Sequence, residues 1–151
     1  MIAWTYLDKK AAVAEALKDY PGMEFIIQNS GDIEKELRES MASLPSAAPA
    51  GTPRGQNPKG GEARLAAQID AIDVLKERYR SALEYMEWFK PAWESLTEDD
   101  RFVLTEFYVQ NGDSREDSVG NICDRFLIER SSAYNKKNRA LARLTNLLYG
   151  K

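Results

Sequence analysis

Apolar side chains recur along most of this chain at three- and four-residue intervals, the period of an α-helix with one buried face. Trp4, Leu7, Ala11, Ala14, Leu17 and Tyr20 follow this spacing, and Pro21-Gly22 predicts a stop. Phe25-Ile26-Ile27 reads as a short strand or a buried turn, after which Ser30 can cap a helix through Asp32, Ile33, Leu37 and Met41. Farther along, Leu65, Ile69, Ile72, Tyr79, Leu83, Met86 and Trp93 alternate by four and three, with Lys76 and Lys90 filling the two gaps. This is a heptad-like seam on one long helix, from about Glu62 to Lys90, which Pro91 should kink or end. Such a seam can pack on the rest of its own chain or pair two protomers into a homodimer.

The last third predicts three shorter helices. Thr97 with Asp100 resembles a capping box ahead of Phe102, Val103, Phe107 and Tyr108, and Asn111-Gly112 should end that helix. A second helix, about Arg115 to Phe126, presents Val119, Ile122, Cys123 and Phe126 inward. Leu127 and Ile128 form a tight turn, and the last helix runs from near Arg130 to Tyr149 with Ala133, Tyr134, Leu141, Leu144 and Leu148 inward. Gly150 stops it. The expected fold is all-α: a helix-turn-helix C-terminal unit, residues 95–151, preceded by a long helix, 62–94, and a small N-terminal helical segment, 1–44. Residues 45–61 read as a flexible Pro/Gly-rich linker, since they hold Pro45, Pro49, Pro53, Pro58, four glycines and no large apolar side chain.

Composition narrows the chemistry. At 151 residues, 43% apolar and 30% charged, the chain is one globular domain's worth of sequence. It contains no histidine, which removes the commonest general base and metal ligand together. Its one cysteine, Cys123, excludes an intrachain disulfide and fits a reducing, cytoplasmic setting; it reads as a small buried apolar residue. No Gly-rich phosphate loop, no secretory signal and no membrane-spanning run is apparent. Only a carboxylate-held metal site remains open, so neither a cofactor nor an enzymatic activity is expected.

Charge is distributed unevenly. Ser95 to Glu129 carries nine acids and three bases, whereas Arg130 to Lys151 carries Arg130, Lys136, Lys137, Arg139, Arg143 and Lys151 with no acid, inside a chain of net charge −3. A basic face on an acidic chain is what a reader of duplex DNA leaves in its sequence. On the last helix, Arg130, Ser131, Ser132, Asn135, Lys136 and Arg139 fall outward or on the flanks. Arg can pair with guanine edges and Asn with adenine edges, while Lys mainly finds phosphate oxygens. Tyr134 can pack inward or stack on a base; Trp88, Phe89 and Trp93 can form core or an exposed aromatic patch.

These residues also carry a family resemblance. Leu96-Thr97-Glu98-Asp99-Asp100-Arg101-Phe102-Val103-Leu104 with Phe107-Tyr108 resembles the opening helix of DNA-binding region four of bacterial sigma factors. Ile122-Cys123-Asp124-Arg125-Phe126 is similar to the helix before its turn, and Leu127 through Leu141 to its turn and recognition helix. Leu144-Thr145-Asn146-Leu147-Leu148-Tyr149-Gly150, with Tyr85 to Trp93 upstream, is similar to the small phage and prophage regulators of the ArpU- and RinA-like group. The turn departs from the pattern in having Leu127 where glycine is usual, and Asn111 to Asp117 is longer and more acidic. The resemblance implies sequence-specific binding of double-stranded DNA, control of phage transcription, and RNA polymerase as a neighbouring partner. It carries Glu129, Arg130, Ser131, Ser132, Asn135, Lys136 and Arg139 over as DNA contacts. The competing expectation is a helical protein–protein module that binds polymerase or another phage protein without touching DNA.

Overall fold

In the computed structural model, which describes residues 8–42, 60–110 and 114–150, the fold is all-α, with no strand among the described residues. Helix α1 spans Lys9–Ala42, α2 Gly60–Ser95, α3 Glu98–Leu104, α4 Arg115–Phe126 and α5 Arg130–Tyr149; α3 runs on into a π-helical turn, Thr105–Val109. None of the described helices is long and apolar enough to cross a membrane.

The first two helices correct the sequence reading. Pro21-Gly22 does not stop α1, and Phe25-Ile26-Ile27 is neither strand nor turn but helix interior; Ser30 is a buried mid-helix residue and caps nothing. Inward positions explain the continuity. Val13, Tyr20, Ile27 and Glu34 recur at seven-residue steps, as do Ala16, Met23, Ser30 and Leu37, and all eight are buried or half-buried. One unbroken face thus runs through the proline, and its packing offsets the one backbone hydrogen bond that Pro21 removes. Pro91 likewise lies inside α2, which continues to Ser95. Phe89, Ala92 and Leu96 are all buried, so ending the helix at Lys90 would pull Ala92 and Leu96 off the core. Pro91 and Glu87, whose carbonyl loses its helical donor, are both exposed, where water can replace that donor. The expected 45–61 linker lies outside the described residues except Gly60 and Gly61, which open α2.

The chain divides into two compact units whose boundaries fall inside α1 and α2. The first comprises the described residues of Met1–Met23 and Tyr85–Lys151, the second those of Glu24–Glu84. In the first unit, one core joins Val13 and Leu17 of α1 to Phe89 and Ala92 of α2, Leu96 just beyond it, Leu104 of α3, and Ala140, Leu141 and Leu144 of α5. Trp93 stacks on Phe89 with ring centroids 5.8 Å apart, so these aromatics are core. Trp88, more exposed, meets Tyr149 edge-on at 5.6 Å. The Tyr85 hydroxyl donates to the Ala16 carbonyl at 2.5 Å. A second cluster of Val103, Val119, Ile122 and Ala133, with Phe102, Phe107, Phe126 and Tyr134 against it, fixes α4 to α3 and α5.

In the second unit, the Gln68 side-chain amide donates to Ser40 Oγ at 3.2 Å, while Ile27, Ser30 and Gly31 share a cavity wall with Leu75 and Tyr79. The two helix segments there run antiparallel.

Candidate nucleic-acid interface

Three residues join α4 to α5. Ser114 caps α4 with a full capping box: Ser114 Oγ accepts from the Asp117 N–H at 3.2 Å, and Asp117 Oδ2 accepts from the Ser114 N–H at 3.3 Å. This box is legible as Ser-x-x-Asp, and the sequence reading passed over it. The box expected at Thr97 is only half made. Thr97 Oγ1 accepts from the Asp100 N–H at 3.2 Å, but the Asp100 carboxylate turns to Arg143.

At the other end of α4, Leu127 takes the left-handed conformation, φ 54° and ψ 50°, the one non-glycine residue with positive φ among those described. The chain reverses there, and Ile128 N–H donates back to the Cys123 carbonyl at 3.2 Å. Glu129 then begins α5 with extended backbone and no side-chain cap. The first N–H groups of α5 therefore have neither an intrahelical partner nor a capping side chain, and the positive end of the helix dipole stays open.

Burial divides α5 into sides. Ala133, Ala140, Leu141, Leu144 and Thr145 face the core. Ser131, Asn135, Asn138, Arg139 and Asn146 lie along the exposed side, with Arg130 exposed at the helix start; Ser132 and Lys136 are half-buried on one flank. Of the residues expected to meet DNA, the structure thus keeps Glu129, Arg130, Ser131, Asn135 and Arg139 on the surface. Asn138 belongs with them and was missed, although its place three residues after Asn135 puts it on the same helical face. Tyr134 packs on Phe107, ring centroids 5.7 Å apart, rather than projecting outward.

The cations are not equivalent. Lys136 lays its ammonium 4.4 Å from the centre of the Phe126 ring, across the turn. Arg125, at the end of α4, stacks its guanidinium 4.3 Å from the Phe102 centroid and 5.8 Å from that of Phe126. Phe126 thus gathers Arg125 into a basic cluster that sequence reasoning confined to the last helix. The face of an aromatic ring attracts a cation without neutralising it. Among the described residues, no carboxylate lies within 4.0 Å of Arg125, Arg130, Lys136 or Arg139. Lys137 is half-buried over Phe107 and Tyr134, at 5.3 and 5.7 Å. Burial, then the nearby Arg115 charge, pushes its ammonium below the ordinary lysine range.

Arg143 is a correction. The sequence reading counted it among six cations free of any opposing acid, but its Nη1 donates to both oxygens of Asp100, at 2.8 and 2.7 Å. Asp100 is buried, so the pair ties α3 to α5 and Arg143 is withdrawn from the basic face. Lys151 lies outside the described residues. No cluster of acids and cysteine that could hold a metal ion occurs among the described residues. No protein-family model, curated protein or solved structure matches this chain.

Proposed function

We propose that this chain binds duplex DNA with α4 and α5 acting as a helix-turn-helix, and that it regulates transcription. The observation that carries the reading is the outer side of α5 with its turn. Arg125, Arg130, Lys136 and Arg139 surround a strip of Ser131, Asn135 and Asn138 without a carboxylate within 4.0 Å among the described residues. A helix with its side chains is about 10–12 Å across, which suits the roughly 12 Å major groove of B-DNA. In this docking Asn135, Asn138 and Arg139 meet base edges. Arg125 and Lys136 meet phosphates on one side, and the open N-terminus of α5 with Arg130 meets a phosphate at the groove edge. Glu129, at the helix start, can accept from a cytosine amino group. The similarity to sigma region four and to small phage and prophage regulators supports promoter DNA as the target and RNA polymerase as a neighbour. The test is fluorescence anisotropy with labelled duplex at low salt, in which the intact chain binds and an Arg130→Ala/Lys136→Ala/Arg139→Ala variant of unchanged helicity does not.

A second reading has an observation of its own. A cavity of about 630 Å³ opens in the first unit, lined by Leu96, Thr97, Arg143, Asn146 and the half-exposed Leu147. A helical module that grips another protein there would show no duplex binding at low salt.

A further inference from the structure

The second unit leaves part of its apolar seam uncovered. Leu65, Ile69, Tyr79 and Leu83 of α2 are 41, 44, 38 and 38% exposed, although they hold consecutive seam positions with Ile72 and Lys76. Beside the middle of this strip lies a cavity of about 350 Å³ between α1 and α2, lined by Ser30, Gly31, Asp32, Glu34, Lys76 and Tyr79 among others. A side chain built at Gly31 would meet nothing within 4 Å, so that wall is open.

We propose that a second copy of this chain covers the strip, with the two α2 helices antiparallel about a two-fold axis between Lys76 and Tyr79. The proposal rests on the second unit alone and does not require the DNA reading. Charge decides the direction. A parallel pairing sets each seam residue against its own copy and would stack Lys76 on Lys76. The antiparallel register sets Lys76 opposite Tyr79 of the second copy, a cation over an aromatic ring, and brings it near Asp32 and Glu34 in the cavity wall. Asp32 has no cation within 4.0 Å among the described residues, so it has capacity for one. Ile72 then meets Leu83, with Ile69 diagonally beside it.

The flank agrees. In this register Asp73 of each copy faces Arg80 of the other. Asp73 has no ion pair among the described residues, and Arg80, now paired with Glu77, remains 68% exposed and able to reach across. Because the contact is isologous, it closes at two copies and leaves no free edge.

The test uses the full chain with Cys123→Ser, which removes the native thiol. Sedimentation equilibrium is expected to give a dimer, and Ile69→Glu/Leu83→Glu a monomer of unchanged helicity; both side chains are exposed, so their replacement leaves the fold intact. For direction, Lys76→Cys chains are mixed with Tyr79→Cys chains and oxidised. Opposed seam positions come within disulfide reach, so the mixture is expected to cross-link while Lys76→Cys alone does not. A monomer at every concentration, a mass unmoved by Ile69→Glu/Leu83→Glu, a dimer that cross-links through Lys76→Cys alone, or one that cross-links in neither case would overturn the proposal.

Discussion

Arg143 and Asp100 stand 43 positions apart in the chain, yet a single guanidinium nitrogen of the first bonds both carboxylate oxygens of the second. Asp100 is 8% exposed, so this contact lets a charged carboxylate lie under the junction of α3 and α5. Arg143→Ala should cost about 1–3 kcal/mol, because a buried carboxylate would lose its charged donor. The lower end is expected, since the Arg143 side chain is 56% exposed and water can partly replace it. Urea unfolding measures this. The salt dependence of DNA binding should stay unchanged, since Arg143 does not belong to the proposed face.

Leu127 holds a left-handed backbone and is 90% exposed. A branched side chain gains nothing by exposure there and strains against its own carbonyl. Leu127→Gly should stabilise the chain by about 1 kcal/mol, read as a higher urea midpoint at constant slope. No gain would mean that the Leu127 side chain has a contact of its own to lose.

Pro91 sits exposed in the interior of α2 and contributes no backbone donor. Pro91→Ala should restore one helical hydrogen bond and raise stability by about 1–3 kcal/mol in thermal or urea unfolding. A loss of stability instead would show that the chain needs a break at that position.

Tyr85 gives the fold an alkaline limit. Burial, then the charges of Asp19 and Tyr20, pushes its phenol well above the ordinary value of 10.0. Above pH 10 the unfolded chain releases this proton while the folded chain keeps it, so stability falls as pH rises. Tyr108, raised chiefly by burial, acts in the same direction. Lys137 acts oppositely: its lowered folded value makes stability rise with pH up to the ordinary lysine value of 10.5. Tyr85→Phe should flatten the fall above pH 10 and cost about 1 kcal/mol at neutral pH, where the bond to the Ala16 carbonyl is lost.

Periodicity carried most of the fold. The limits of α4 and α5 follow from Arg115, Phe126, Arg130 and Tyr149 because each has a local cause: a cap, a reversal, a glycine. The prolines misled because their cost is local, whereas the packing that offsets it is tertiary; the seven-residue steps through Val13 and Tyr20 were the available sign. The candidate interface was half legible. Ser131, Asn135 and Arg139 follow from helical phase alone. Arg125 joins them only because Phe126 lies beneath Lys136 across a turn, and Arg143 leaves them only because Asp100 reaches it from another helix. Neither relation has a signature in local spacing.

Docking of α5 on duplex DNA is best tested by the salt dependence of binding. Each phosphate contact releases counterions and adds about 0.9 to the slope of log K against log salt. With Arg125, Arg130 and Lys136 on phosphates, the intact chain should bind with a slope of magnitude about 2–3. Lys136→Ala/Arg139→Ala should reduce it by about 1, from the lost Lys136 phosphate contact, and remove the base preference that Arg139 supplies. Absence of binding at low salt, or a slope that the double substitution leaves untouched, would contradict the account.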